Sequence, residues 1–345
     1  MTPDWRMTHE IAEQPDLFED CASTWQDRAR RLHDATEDRP RLVLLGRGSS
    51  RNASVFASHL AGVHTGLHPV EFRLWVTTRD DVPRAHFNDT TVFAYSASGQ
   101  STDIARACRW LSDRGAFIIG ITNADDANCA LGEAADELLL LDVGDERAVP
   151  ATKTFNAQLF ASAALLGLDI IDAVTDTARC LRQLQDSSLS HRLADFLDGG
   201  QTAAWIARGP SLGAARDAAL KCRECARLDS TGWSSAEIQH GHIGSLDAND
   251  RAIIFSDANQ PAGSFSSVAK AFLGRNTPFL VVGLDYYRDN DGSAAPQMDI
   301  PLPQAHWARA PVFAFLAQQT ALQLAVRRGL NPDCPSGLQK VTETV

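Results

Sequence analysis

Residues 41–54 read RLVLLGRGSSRNAS, and residues 202–215 read TAAWIARGPSLGAA. Each is a short apolar stretch, then Arg-Gly-x-Ser, then a helix-like segment. An offset of 161 residues carries Arg47 onto Arg208, Gly48 onto Gly209 and Ser50 onto Ser211. The pattern continues: TVFAYS at 91–96 matches RAIIFS at 251–256, and AFIIGI at 116–121 resembles FLVVGL at 279–284. Apolar strands alternating with helical stretches of about 10–20 residues call for βαβ units and parallel sheets. Continuous runs such as LVLL, FIIGI and FLVVGL suit strands covered on both faces. The sequence therefore predicts α/β architecture, with two doubly wound parallel-sheet domains related by duplication.

The chain has 345 residues, enough for about two domains. We expect a helical segment at 1–40, domains at 41–185 and 186–330, and a tail at 331–345. The seam falls within 183–201, which is polar, ends in Gly-Gly and keeps helical periodicity through part of its length. Residues 10–32 (EIAEQPDLFEDCASTWQDRARRL) place acids early and bases late, as a helix dipole favours. The net charge of −11 and pI near 5.3 disfavour nonspecific binding to nucleic acid or anionic membranes, so neither is an expected partner. A local cationic pocket for an anionic metabolite stays compatible with that balance. Seven scattered cysteines, no signal-like start and no apolar run of about 20 residues point to a reduced, cytoplasmic protein.

In open parallel sheets, ligands bind at the carboxyl ends of strands. Two such ends are rich in serine: Gly46-Arg47-Gly48-Ser49-Ser50, and Ser96-Ala97-Ser98-Gly99-Gln100-Ser101 leading into a helix. Small hydroxyls and backbone N–H groups at helix starts can cradle a phosphate. The competing reading is helix capping, which also uses Ser and Thr. Neither a Walker loop nor a GxGxxG fingerprint is present. A third segment, GDERAVPATKT at 144–154, follows the strand-like ELLLLDV and precedes a helix; it either completes the pocket or merely connects.

Together these pieces resemble the SIS (sugar isomerase) family. The similarity runs nearly end to end, through GRGSS, SxSGxS, GDExxVxATK, ALKxxE, SSAExxHG and NPDxPxGLxKVTxT. It is nearest to the isomerase half of glucosamine-6-phosphate synthase and to SIS-type glucosamine-6-phosphate deaminases. The resemblance implies flavodoxin-like, three-layer α/β/α domains. It implies phosphate contacts from Ser49, Ser50, Ser96, Ser98 and Ser101, with Glu146, Val149 and Thr152 flanking the sugar. It further implies Glu224 as the carboxylate that moves a proton between C2 and C1, with Lys221 beside it. His240 would assist ring opening across a homodimer, and Lys340 would close over the sugar from the tail. The implied ligand is a phosphosugar or aminosugar phosphate, and neither cofactor nor metal is called for.

The residue types suit that chemistry. One carboxylate can accept and return a proton, histidine works near neutrality, and lysine can polarise a carbonyl or form an imine. Read alone, the same residues have plainer explanations. Lys221 and Glu224 sit three apart, as in a surface helical ion pair, and Lys340 reads as a solvated side chain. Cys222 and Cys225 form a single CxxC within a helix-like stretch, and His64 and His68 lack the HExxH glutamate. Three departures from the family pattern stand out: Ala97 where glutamine is frequent, His242 where the family turn has proline, and Arg47 where the synthase has cysteine. No glutaminase segment with an amino-terminal cysteine nucleophile is seen, Cys21 being the first cysteine, so glutamine-driven synthesis is not expected. The expected activity is a glucosamine-6-phosphate deaminase. The alternatives are a fructosamine-6-phosphate deglycase, a phosphosugar aldose–ketose isomerase, and a non-catalytic phosphosugar sensor.

Overall fold

The computed structural model describes residues 4–36, 38–79, 82, 86–124, 128–257, 265–284 and 296–341. The chain forms two compact units. The first comprises Asp16–Glu146, Ala151–Thr175 and Leu338–Val345; the second comprises Met1–Pro15, Arg147–Pro150 and Asp176–Gly337. The amino-terminal helical segment is divided between them. Helix α1 (Arg6–Ala12) goes with the second unit, and α2 (Gln14–Asp34) runs almost wholly within the first.

In the first unit, β1 (Arg41–Leu45), β2 (Val70–Glu71), β3 (Thr90–Tyr95), β4 (Phe117–Thr122) and β5 (Glu137–Leu140) form one parallel sheet in the order β2-β1-β3-β4-β5. Helices α3 (Gly48–His64), α4 (Thr102–Ser112) and α5 (Lys153–Leu165) accompany it, and α6 (Ile171–Gln185) leads towards the second unit. Alternation along the strands explains the apolar runs. Val43, Val92 and Ile118 pack on one face with Ile104, Cys108 and Leu111 of α4. Leu44, Phe93 and Tyr95 therefore belong to the other face. Phe18 and Trp25 of α2 meet Phe160 of α5, with ring centroids 5.4 and 6.1 Å from it.

The second unit repeats this plan after α7 (Leu189–Asp198). Strands β6 (Thr202–Ala207), β7 (Asp229–Ser234), β8 (Arg251–Ser256), β9 (Phe279–Gly283) and β10 (Gln297–Met298) run parallel in the order β10-β9-β8-β6-β7. Counted from its other edge, that is the same order as the first sheet. The duplication read from the Arg-Gly-x-Ser turns is thus a duplication of topology. Helix α8 (Ser211–Ala226) follows β6 as α3 follows β1, and α9 (Ser266–Gly274) covers one face through Val268, Ala269 and Phe272. On the other, Phe313 of α10 (Arg309–Arg327) stacks on Phe255 at 4.6 Å.

In a sheet of this order the connection direction reverses between the first and third strands, opening a crevice at their carboxyl ends. For the first unit that crevice lies between β1 and β3, where both serine-rich turns begin. Phe160 supports this unit from behind, so Phe160→Ala should cost about 3–5 kcal/mol by leaving a cavity between α2 and α5. Urea denaturation followed by circular dichroism measures it; a loss below about 1 kcal/mol would show that the three rings do not hold α2 in place.

Candidate functional site

The β1 turn enters α3 directly. Gly46 allows it: a Cβ there would lie 2.8 Å from backbone atoms of Ser50 and Arg51. Gly48 adopts a φ of +52°, and Arg47, the residue before the helix, makes no side-chain capping bond. Ser49 and Ser50 thus stand in the first turn of a helix. Arg47 reaches across to the other turn, its Nε 2.8 Å from the buried carboxylate of Asp103 in α4. That ion pair ties together the starts of α3 and α4.

The β3 turn is equally compact. Ser96 is buried and donates through its hydroxyl to Ser101 Oγ at 3.2 Å, while Ser98 Oγ accepts from Gln100 N at 3.2 Å. Gly99 has a φ of +69°, and a Cβ there would strike Cys129 Sγ at 2.5 Å. Ser101 occupies the cap position of α4 yet makes no side-chain cap bond. Capping of α4 therefore does not account for Ser101. Two helix starts and a set of small hydroxyls share the crevice, an arrangement suited to an anion.

Beside them lies a cavity of about 330 Å³, lined among others by Ser98, Gln100, Asn123, Cys129, Glu146 and Lys340. Asn123 and Cys129 were not among the sequence candidates. Asn123 accepts from Val143 N and donates to Gly144 O, fixing the loop after β5 to the end of β4. Nothing in the sequence around Asn123 signals that role.

Glu146 dominates the cavity wall. Its side chain is 2% exposed. It accepts from Thr152 N and Oγ1, from Thr154 N and Oγ1, and from Lys340 Nζ at 2.8 Å. Burial alone would raise its carboxyl above the ordinary value, but the Lys340 charge and these hydrogen bonds outweigh burial and hold it down to about 2. The tail lysine is therefore neither free nor merely solvated: it meets a buried carboxylate of the first unit.

The remaining candidates belong to the second unit. Val149 N donates to Asp333 O at 2.8 Å. Lys221 and Glu224 share one side of α8, with Nζ 2.7 Å from Glu224 Oε2 and 3.9 Å from Asp217 Oδ1. This is not the surface pair that spacing alone suggests, because Lys221 and Asp217 are each 1% exposed and Glu224 is 21% exposed. Burial would lower the Lys221 amine, but Asp217 and then Glu224 push it above its ordinary value. His240 is exposed, between a short 3-10 turn and Gly241 with a φ of +102°. His242 stacks on Trp233 at 3.7 Å, a contact that can steady this turn in place of the family's proline. Cys222 and Cys225 are buried within α8; burial pushes the Cys222 thiol up to about 12 and raises Cys225 well above its ordinary value. Among the described residues, no group of three or more His, Cys, Asp or Glu is arranged to hold a metal ion, and no helix is long and apolar enough to cross a membrane.

The Glu146 geometry predicts a pH dependence with a definite sign. A carboxyl whose folded value is depressed stabilises fully above its ordinary 4.5 and loses that contribution as pH falls towards about 2. At neutral pH the contribution is on the order of 3 kcal/mol. Urea unfolding at pH 7 and near pH 3.5 should show wild-type stability falling more steeply than that of Lys340→Met. Parallel losses in the two proteins would detach Lys340 from the stability of Glu146.

Residues 36–167 match the family model described as the SIS domain. A glutamine–fructose-6-phosphate aminotransferase of Pyrobaculum aerophilum is 30% identical over 267 residues, covering 73% of this chain and 43% of that protein. The chain spans about half the length of the curated relatives it matches. Among solved structures, glucosamine-6-phosphate deaminase of Thermotoga maritima superposes with a TM-score of 0.75 at 19% identity, over 98% of this chain and 99% of that one. The Escherichia coli tagatose-6-phosphate ketose/aldose isomerase gives 0.80 at 19% identity, over 96% and 95%. The low identities make these two a likeness of fold. The match identifies a SIS domain over residues 36–167, and the repeated strand order gives the second unit the same topology.

Proposed function

We propose that this protein is an aminosugar-phosphate deaminase that converts glucosamine 6-phosphate and water to fructose 6-phosphate and ammonia. The observation that carries the reading is the cavity of the first unit. It sets a serine turn, its Ser101 unspent on capping, beside a lysine held on a buried carboxylate. An anion cradle next to an amine is what a phosphorylated carbonyl compound requires.

In this reading Ser49, Ser50, Ser96, Ser98 and Ser101 hold the phosphate, with Glu146, Val149 and Thr152 shaping the sugar's surroundings. His240, serving the neighbouring subunit of a homodimer, opens the ring. Glu224 takes the proton from C2 and returns it to C1, turning the amino-aldose into a fructose imine. Lys221, at hydrogen-bond distance from Glu224, steadies the charge that develops. Lys340 contacts the open chain near C1–C2. Water adds to the imine carbon, ammonia leaves, and fructose 6-phosphate remains.

A second reading has one observation in its favour. Ala97 lines the cavity where the family pattern often has glutamine, which leaves room for a larger group on nitrogen. A fructosamine 6-phosphate, carrying an amino acid on C1, would use the same residues with a different leaving amine.

The test is to incubate the purified protein with glucosamine 6-phosphate and follow ammonia and fructose 6-phosphate together. Equal release of both is expected. Glu224→Gln should lower turnover by about 10²–10⁴-fold, with substrate binding within a few-fold of wild type. Near-wild-type turnover in that variant would remove Glu224 from proton transfer. No ammonia from the wild type would sink the deaminase reading and turn attention to fructosamine 6-phosphates.

A further inference from the structure

Helix α5 is buried along its whole length, yet five of its residues are polar, and three of these, Thr154, Gln158 and Ser162, are regularly spaced. They recur at intervals of four, so they form one stripe along the helix. Each meets a group at or near the carboxyl end of the first sheet. Thr154 Oγ1 donates to Glu146 Oε2 at 2.7 Å. Gln158 Nε2 donates to Ser50 Oγ at 3.1 Å. Ser162 Oγ lies 2.8 Å from the hydroxyl of Tyr95, the residue before Ser96.

Hydrogen-bond direction can be followed along this stripe. Ser162 Oγ donates to the backbone oxygen of Gln158 at 2.6 Å. A serine hydroxyl has one hydrogen, so the Tyr95 hydroxyl must be the donor to Ser162. That bond anchors the end of β3 just ahead of the phosphate-turn serines. At Ser50 the logic runs the other way. The Gln158 amide N–H occupies an acceptor position on Ser50 Oγ, which leaves the serine hydrogen to be donated elsewhere. Both partners are buried, Gln158 at 1% exposure and Ser50 at 8%, so water competes little for that geometry.

We propose that Gln158 is a positioning residue for anion binding. Its amide holds Ser50 as a hydrogen-bond donor aimed at the ligand phosphate, and the α5 stripe as a whole presets the polarity of the site. The inference rests on the phosphosugar reading above. A hydroxyl already turned outward binds phosphate without first breaking a bond to the protein, the form of preorganisation that favours ligand binding. The same hydroxyl turned inward onto an acceptor would present its oxygen to the phosphate and repel it.

Two near-isosteric variants separate these possibilities. Gln158→Met keeps the volume and removes the donor. Gln158→Glu keeps the shape and offers an acceptor, which turns the Ser50 hydrogen inward. Calorimetric titration with fructose 6-phosphate, and with inorganic phosphate in parallel, reads the effect. We expect affinity to fall about 3–10-fold in Gln158→Met and more than 10-fold in Gln158→Glu, with kcat at saturating substrate within about 3-fold of wild type. In a Ser50→Ala background, Gln158→Met should cost almost nothing further, because the effect travels through Ser50. If Gln158→Glu fails to fold, Gln158→Met and the double variant carry the test. Wild-type binding of both ligands with affinities unchanged in Gln158→Met would overturn the role of Gln158 and leave the phosphosugar reading standing. Equal losses from Gln158→Met in the presence and absence of the Ser50 hydroxyl would also overturn it. No binding of either ligand to the wild type would overturn the phosphosugar reading itself, and this inference with it.

Discussion

A carboxylate taken out of water must be compensated or it will not stay ionised, and Glu146 is compensated from every side. Two backbone N–H groups, two threonine hydroxyls and one lysine converge on it. Meeting that requirement shapes the site. The chain leaving β5 must turn so that Thr152 and Thr154 face back on the residue six to eight positions earlier, which fixes where α5 begins. The tail must come in far enough to bring Lys340 to the same oxygen that Thr154 serves. A loop, a helix start and a chain end are thus set by one negative charge.

Duplication gives two crevices of the same topology, but they are not chemically equivalent. In the first unit, the turns after β1 and β3 present Ser50, Ala97 and Ser98, and no acidic side chain takes the place of Ala97. An offset of 160 residues puts Asp257 at the Ala97 position of the second unit. There the Ser211 hydroxyl donates to Asp257 Oδ2 at 3.1 Å, and the buried Arg309 donates to the Asp257 backbone oxygen. In the second unit the serine hydroxyl is therefore already spent on a carboxylate of the same chain. The second unit instead carries the buried Lys221–Glu224–Asp217 set on α8.

Much of this was legible in the sequence because burial on both sheet faces leaves continuous apolar runs. LVLL, TVFAY, FIIGI and RAIIF appear as β1, β3, β4 and β8 with little slippage. The two-residue edge strands, β2 and β10, were not legible, since two residues carry no periodicity. The assignment of α1 and α2 to different units was hidden too, because nothing in their composition says which surface covers them. At the site, the serine turns and the tail lysine were visible as motifs, whereas Asn123 and the α5 stripe were not. FNAQLFASAALLGL reads as a plain apolar helix, in which Gln158 and Ser162 look like interruptions. The available signal was the spacing of Thr154, Gln158 and Ser162, four residues apart along one side of a largely apolar helix.

The Lys340–Glu146 pair also constrains what the tail lysine can do in the proposed chemistry. An amine attacks a carbonyl through its lone pair, and a lysine donating a charge-assisted hydrogen bond to an ionised carboxylate has none to offer. Held on Glu146, Lys340 is a fixed positive charge beside the cavity. Such a charge can polarise a carbonyl oxygen or stabilise an enolamine developing at C1–C2. Imine formation would require it to leave Glu146, removing the charge that does most to offset that carboxylate's burial. That step is uphill unless the sugar's own hydroxyls replace the lysine on Glu146. The resting geometry therefore favours electrostatic assistance from Lys340 over covalent catalysis. It also makes Glu146 the group that decides between them, because the lysine's freedom is set by what else can satisfy that carboxylate.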